Sequence, residues 1–496
     1  MKMKTDPLLI DVEGHRELLL GNEAIVRAAL ESEVAFAAGY PGTPSSEITD
    51  SFARVADSFG LHFEYSVNEK ISLEAAFAAS LSGARAICAM KHLGLMYAGD
   101  PLSTIPYIGV RAGLVIVSAG DPSCRTSPNE QDQRHLGPKL HLPVLDPRSP
   151  REAYEMTRFA FELSEQSELP VLIRITTRVC HTRGVIDYGR LSAPKVSGFE
   201  KDPKRLVPIP INARKLRVEI EDRLQTASRL MTESAFHYIR GNGRLGLLAT
   251  GSPASFCLDI VSDRQLEDKV SLYTLGTVYP LPEQSIAEFV SRMDEILVVE
   301  ELSPYLEKAV LAICAQEGIR TKISGKLSGH FPMPFEYDPE LITKAINRCL
   351  GIASKPETVP EYPETPPRPP ILCAGCSHRN SFIAAKMVFG EKHLYFNDIG
   401  CYTLGYGPPL DTADALLSMG AAFSMASAAS RVTGQKTVAF MGDSTFFHSG
   451  MPPLLNAIKE DCDMTAVILD NQVTAMTGFQ ESPGIEVVDQ QPVRDV

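Results

Sequence analysis

Short apolar runs alternate with longer amphipathic stretches along most of this chain. The runs at 438–442 and 466–469 are nearly continuous in apolar residues and end abruptly in polar turns, the pattern of strands buried on both faces of a parallel sheet. Comparable runs stand at 35–38, 85–90, 113–118 and 170–175. Between them, 22–31 and 149–163 read as helices, and Ile48, Phe52, Val55 and Phe59 repeat at helical spacing until Gly60 closes the helix. This alternation predicts a doubly wound α/β domain over 18–187. Strands at 245–249, 270–273 and 295–299, with helices at 282–289 and 303–316, predict a smaller α/β domain over 243–351. Glu300 and Glu301 end one of these strands, where exposed charge is the default expectation and contact with a neighbouring domain the alternative.

Two segments break the pattern. Over 188–242 the strand signal fades and Lys195, Lys201, Lys204, Arg205, Arg214, Lys215 and Arg217 cluster. This reads as a solvated linker, with a docking surface for an acidic partner as the alternative. Over 352–370, seven prolines predict an extended, semi-rigid linker, after which a third domain runs over 371–496.

The chain has 496 residues, enough for two to four domains, and 44% are apolar. Its net charge of −13 gives no electrostatic case for nucleic acid or an anionic membrane. The Met-Lys-Met-Lys start lacks an apolar segment behind it, so no signal peptide is expected, and no apolar run reaches membrane-spanning length. Ten scattered cysteines, with a single Cys-x-x-Cys, fit a reducing cytoplasm better than a disulfide framework.

Candidate chemistry gathers at strand ends. Asp443 and Asn471 stand 28 positions apart, each just past an apolar run. In an open α/β sheet that edge receives ligands. The small turn residues Gly442 and Ser444 let backbone N–H groups approach a phosphate. A carboxylate, an amide oxygen and a backbone carbonyl suit a Mg2+ shell around a diphosphate. Thr43 is expected as the N-cap of the 48–59 helix, with Pro44 at its first position and Glu47 in its first turn. That helix start is either simply well capped or offers N–H groups and the Thr43 hydroxyl to a substrate carboxylate. Glu69 opens a second helix after a strand, a common place for an acid. His92 follows another strand, where it either faces a substrate or is a satisfied structural histidine. Cys373 and Cys376 form the Cys-x-x-Cys, and Cys401 follows 25 positions later. Iron–sulfur ligation, zinc, a redox pair and a tight turn with buried thiols all fit that spacing.

The interval from Gly442-Asp443-Ser444 to Asp470-Asn471 resembles the thiamine diphosphate motif, with Ser444 in place of its last glycine. Tyr40-Pro41-Gly42-Thr43-Pro44-Ser45-Ser46, Asn68-Glu69-Lys70, Cys373-x-x-Cys376-x-His378-Arg379, Gly442-Asp443 and Asp470-Asn471 occur in that order. Together they resemble the thiamine diphosphate-binding subunit of indolepyruvate:ferredoxin oxidoreductases, in the 2-oxoacid:ferredoxin oxidoreductase superfamily. The likeness runs from about residue 18 to residue 484.

The resemblance implies two doubly wound thiamine diphosphate-binding domains, of pyrimidine and diphosphate type, meeting across a cofactor cleft, with a transketolase-C-like α/β domain between them in sequence. It implies oxidative decarboxylation of aryl 2-oxo acids to acyl-CoA, with electrons passed to ferredoxin and a second (beta) subunit as partner. Asp443, Asn471 and Val473 become Mg2+ ligands, and Gly442, Ser444, Gly400 and Cys401 line the cofactor. Glu69 becomes the carboxylate that activates the cofactor's aminopyrimidine, Thr43 lies near the substrate carboxylate, and His92 joins them as a catalytic candidate. Cys373, Cys376 and Cys401 match a proximal iron–sulfur cluster. The family's cysteine-rich ferredoxin module is not seen before Val496, which places further clusters in a missing segment or a partner. A non-oxidative decarboxylase and a non-catalytic subunit of the same fold are the alternatives.

Overall fold

In a computed structural model, the described residues are 6–353, 365–366, 368–484, 486–488 and 491–493. The Pro-rich linker expected over 352–370 falls largely outside them. The chain divides between Pro356 and Glu357 into two units.

The first unit contains three sheets, the smallest being the antiparallel pair of its first and eighth strands. In chain order its strands are β1 (Arg16–Leu20), β2 (Phe36–Gly39), β3 (His62–Tyr65), β4 (Ala86–Lys91), β5 (Leu114–Gly120), β6 (Val144–Leu145), β7 (Val171–Thr176) and β8 (Arg183–Asp187). They continue with β9 (His237–Arg240), β10 (Leu245–Thr250), β11 (Val270–Leu275), β12 (Thr277–Tyr279), β13 (Glu295–Val299) and β14 (Lys322–Ser324). The larger sheet runs β12-β6-β7-β5-β4-β2-β3 and is parallel except for β12. All residues of β5 and β7 are buried, because helices cover both faces. On one face pack Gly21–Glu31, Ser46–Phe59 and Pro150–Ser167, and on the other Glu69–Leu81 and Gly99–Ile108. The chain lays β2 down first, goes to β3 on one side and returns to β4 on the other. The strand order therefore reverses between β2 and β4.

The five-stranded sheet runs β14-β13-β10-β11-β9, with β9 antiparallel at its edge. Directly after β11, β12 leaves this sheet and pairs with β6, closing an edge of the larger one.

The segment expected to be a linker over 188–242 carries a long helix. Its helix Pro210–Thr232 buries Leu216, Ile220, Leu224, Ala227 and Met231. Their spacing of three or four is a helical stripe, masked in the sequence by the basic residues on the other face.

Glu300 and Glu301 are buried, not exposed. Arg134, 1% exposed, reaches across from the region after β5. It donates to Asp132 Oδ1 and Oδ2 at 2.8 and 2.7 Å, to Glu300 Oε2 at 2.7 Å, and to the carbonyls of Glu301 and Ser303 at 2.8 and 3.0 Å. Glu300 also accepts from Leu306 N and Glu307 N, both at 2.8 Å, and so caps the helix Tyr305–Glu317. Burial works against the charge of Asp132, but the Arg134 guanidinium holds its carboxyl well below the usual range. Arg134→Met leaves these acids buried without their cation and is expected to cost about 3–5 kcal/mol. A melting temperature within a degree of the wild type would show that the network is not under this load.

The second unit carries β15 (Leu394–Asn397), β16 (Thr437–Gly442) and β17 (Met464–Leu469), parallel in the order β15-β16-β17. Helices His378–Phe389 and Ala421–Thr433 pack on this sheet through Phe382 and Phe423. Two residues of β18 (Val473–Thr474) follow β17.

Candidate functional site

The second unit presents the Asp443 and Asn471 pair at adjacent strand ends. Gly442 of β16 faces Leu469 of β17 in register, so Asp443 stands one residue and Asn471 two residues beyond a matched pair. Asp443 is buried, and its Oδ2 has no hydrogen-bond partner. A carboxylate oxygen left bare in a protein interior costs free energy unless a cation or donor meets it. A Mg2+ ion fits that need, and the hard oxygen donors of Asp443, the Asn471 amide and the Val473 carbonyl match its chemistry. Asn471 is exposed and its Oδ1 accepts from Val473 N at 3.3 Å, an Asx-type turn that keeps both residues on the same loop. Ser444 Oγ bonds Thr474 Oγ1 at 2.8 Å and ties that loop to the β16 turn.

Glycines at this edge are dictated by Tyr402. A Cβ on Gly442 would lie 2.4 Å from Tyr402 Cε1, and one on Gly400 would lie 2.5 Å from its Cζ. The ring is wedged between the two backbones, and its hydroxyl bonds Thr445. Asp398, which the sequence reading passed over, organises the surrounding loops. It accepts from Ile399 N, Gly420 N and Ala422 N at 2.8, 2.9 and 3.0 Å. Burial pushes its carboxyl up to about 6, against those three bonds. Its place directly after an apolar strand was the available signal.

Cys373 is exposed, and Cys376 and Cys401 are half-buried. Burial pushes the Cys401 thiol up, and the nearness of Cys376 and Cys373 adds to the shift. The three cysteines thus share one neighbourhood. Among the described residues they are not drawn together within 4.8 Å, whereas tetrahedral zinc, with Zn–S of about 2.3 Å, needs its thiolates roughly 4 Å apart. His378 Nδ1 lies 3.5 Å from Cys376 Sγ.

The remaining candidates lie in the first unit. Glu69 is buried at the start of the helix Glu69–Leu81, whose N-cap is Asn68, accepting from Ile71 N at 3.0 Å. Its carboxyl presses on the backbone of the short helix His92–Tyr97: a Cβ on Gly94 would lie 2.3 Å from Glu69 Oε1. His92 is fully buried, with Nε2 3.2 Å from the Asn129 carbonyl. A carbonyl only accepts, so Nε2 carries the proton. Burial, then the neighbouring Lys91 charge, holds the imidazole below its usual range. Its Nδ1 is buried without a hydrogen-bond partner.

Thr43 is not the expected N-cap. The helix begins at Ser46, and Ser45 precedes it with its hydroxyl bonded to Gly42 O at 2.7 Å. The 42–45 turn intervenes because Ser45 N also bonds back to Gly42 O, at 2.7 Å. Thr43 therefore sits in a loop at the C-terminal end of β2. Its carbonyl accepts from Thr126 Oγ1 at 3.5 Å, which links it to the loop after β5.

Comparisons with known proteins bear on the family of this chain. Residues 27–229 match the family model "Pyruvate flavodoxin/ferredoxin oxidoreductase, thiamine diP-bdg". Residues 394–495 match "Thiamine pyrophosphate enzyme, C-terminal TPP binding domain". The chain is 43% identical over 495 residues to indolepyruvate oxidoreductase subunit IorA of Methanothermobacter marburgensis, covering 98% of this chain and 80% of that protein. It is 41% identical over 514 residues to the IorA subunit of Thermococcus kodakarensis, covering 98% and 79%. Among solved structures, the 2-oxoglutarate:ferredoxin oxidoreductase of Magnetococcus marinus shares the fold, with a TM-score of 0.56 at 15% identity, over 67% of this chain and 65% of that one. The two thiamine diphosphate-binding models and the 43% identity along nearly the whole chain lead to one conclusion: this chain belongs to the IorA family of thiamine diphosphate-binding indolepyruvate oxidoreductase subunits, within the 2-oxoacid:ferredoxin oxidoreductases.

Proposed function

We propose that this chain, with a second (beta) subunit, converts aryl 2-oxo acids of the indolepyruvate kind to acyl-CoA. In balanced form, the 2-oxo acid, CoA-SH and two oxidised ferredoxins give the acyl-CoA, CO2, a proton and two reduced ferredoxins. Thiamine diphosphate, when bound, supplies the nucleophilic carbon and the electron sink for decarboxylation. The chain's own residues bind and orient. Asp443, Asn471 and the Val473 carbonyl would hold Mg2+, and the Gly442–Ser444 turn would offer N–H groups to the diphosphate. Glu69 would supply the carboxyl that hydrogen-bonds the cofactor's aminopyrimidine. Thr43 would meet the substrate carboxylate, and Cys373, Cys376 and Cys401 would hold an iron–sulfur cluster, which would supply one-electron transfer. The working compartment is the cytoplasm; among the described residues no helix is long and apolar enough to cross a membrane.

The observation that carries this reading is Asp443 Oδ2, buried and unpartnered at a strand end, in a chain 43% identical to an indolepyruvate oxidoreductase subunit. The test is anaerobic reconstitution with the beta subunit, thiamine diphosphate, Mg2+ and CoA, following ferredoxin reduction. Indolepyruvate and phenylpyruvate are expected to be turned over at least about tenfold more efficiently than pyruvate or 2-oxoglutarate, a preference of about 1.4 kcal/mol. Release of aryl acetaldehyde without ferredoxin reduction would establish the non-oxidative alternative.

Iron and acid-labile sulfide on the anaerobically purified chain test the cysteine assignment separately. About four of each per chain are expected from a cubane cluster, falling to near zero in Cys376→Ser. No iron in the wild type would move the electron relay to another segment or to the partner.

A further inference from the structure

Lys91 ends β4, and β2 and β4 are the strands between which the order of the larger sheet reverses. In an open α/β sheet the crevice outside the carboxyl ends of such a pair is where ligands bind. Three segments meet there. A Cβ on Gly42, in the loop after β2, would lie 3.1 Å from Lys91 Cβ and 3.8 Å from its Cδ. The Lys91 ammonium donates to the Thr126 carbonyl at 3.0 Å, in the loop after β5, and Thr126 Oγ1 reaches the Thr43 carbonyl at 3.5 Å.

The acid whose charge reaches this ammonium is already engaged. Asp121 Oδ2 accepts from Thr126 N at 2.8 Å, Thr126 Oγ1 at 3.1 Å and Ser127 Oγ at 2.6 Å, and Oδ1 accepts from Thr177 Oγ1 at 2.9 Å. Burial raises the Asp121 pKa, but the bonds from Ser127, Thr126 and Thr177, with the Lys91 charge, leave it below its usual value. His92, next to Lys91, has Nε2 committed to Asn129. Lys91 is thus a half-buried cation held by one neutral carbonyl beside Thr43. A half-buried cation at the mouth of such a crevice can take a further anion.

We infer that Lys91 receives the carboxylate of the 2-oxo acid and sets the preference for an anionic substrate, an assignment that rests on the proposed function above. Burial pulls its ammonium down to about 8, against Asp121. Substrate binding therefore holds below pH about 8 and weakens above it as the proton leaves.

The test compares wild type, Lys91→Met and Lys91→Arg in the reconstituted enzyme, reading KM and kcat separately against pH. Lys91→Met is expected to raise KM for indolepyruvate about 10–100-fold, with a much smaller change in kcat, because the lost bond is to a charged group made before reaction. Lys91→Arg is expected to keep KM within a few-fold and to abolish its rise above pH 8, since guanidinium does not titrate there. Inhibition by the neutral methyl ester of indolepyruvate should not respond to either change. A wild-type KM and an unaltered alkaline limb in both variants would overturn the inference while leaving the proposed function standing. A wild-type enzyme that turns over no 2-oxo acid would overturn both. Melting temperatures of the variants separate loss of fold from loss of binding.

Discussion

Glu69→Gln is expected to lower turnover of the reconstituted enzyme about 10²–10⁴-fold, the range for removing a positioned acid–base group, while the melting temperature stays near that of the wild type. The substitution keeps the size of the side chain and its place beside Gly94. The helix start does not depend on the carboxyl, because Asn68 caps it through Ile71 N. What changes is the carboxyl proposed to hydrogen-bond the cofactor's aminopyrimidine. Thiamine diphosphate content after gel filtration should therefore stay close to wild type, which separates activation from binding. Gly94→Ala gives an independent check. A methyl group there would come within 2.5 Å of three Glu69 atoms, so the carboxyl must swing aside and activity should fall although both acid and cofactor sites are unaltered. Near-normal turnover in Glu69→Gln would end the assignment, and near-normal turnover in Gly94→Ala alone would show that the carboxyl position is not critical.

Sequence and structure agree best where one strand carries both the signal and the site. Asp443 and Asn471 were legible because a polar residue just past an all-apolar run has few places to be other than the carboxyl edge of a parallel sheet. Glu69 was legible as a helix start for a similar reason: Asn68 is a strong N-cap and a strand precedes it. Thr43 shows where such reasoning fails. Thr-Pro looks like an N-cap and first helical residue, yet Ser45 bonds back to Gly42 through both its N–H and its hydroxyl, and the helix starts later. Local propensity lost to a turn of comparable local chemistry. Glu300 and Glu301 fail differently. Their burial depends on Arg134, more than 160 positions away, and no local pattern announces a partner at that distance. Lys91 and Asp398 belong to the same class. Each is an ordinary polar residue after a strand until tertiary structure shows what surrounds it.

Asp443→Ala is expected to have opposite effects on the empty and loaded protein, a sharper signature than loss of activity. In the empty protein the carboxylate keeps one oxygen buried and unpartnered, a penalty of about 1–3 kcal/mol for such a group. Removing it should leave the melting temperature unchanged or raised by a few degrees. In the loaded protein that oxygen is proposed as a direct Mg2+ ligand. Loss of a group that merely supports a metal ligand costs about 10–100-fold in affinity, so loss of a ligand should cost at least about 100-fold, or about 2.7 kcal/mol. Ligand binding stabilises the folded state by mass action. The rise in melting temperature that Mg2+ and thiamine diphosphate give the wild type should therefore vanish in the variant at concentrations near the wild-type Kd and reappear only at much higher ones. Ser444→Ala is the matched control. It breaks the 2.8 Å bond to Thr474 but removes no charge, so its Mg2+ response should shift by less than tenfold. A variant at Asp443 that responds to Mg2+ like the wild type would remove this residue from the metal shell. A variant that is strongly destabilised without any ligand would mean that its buried oxygen already has an unseen donor and was never waiting for a cation.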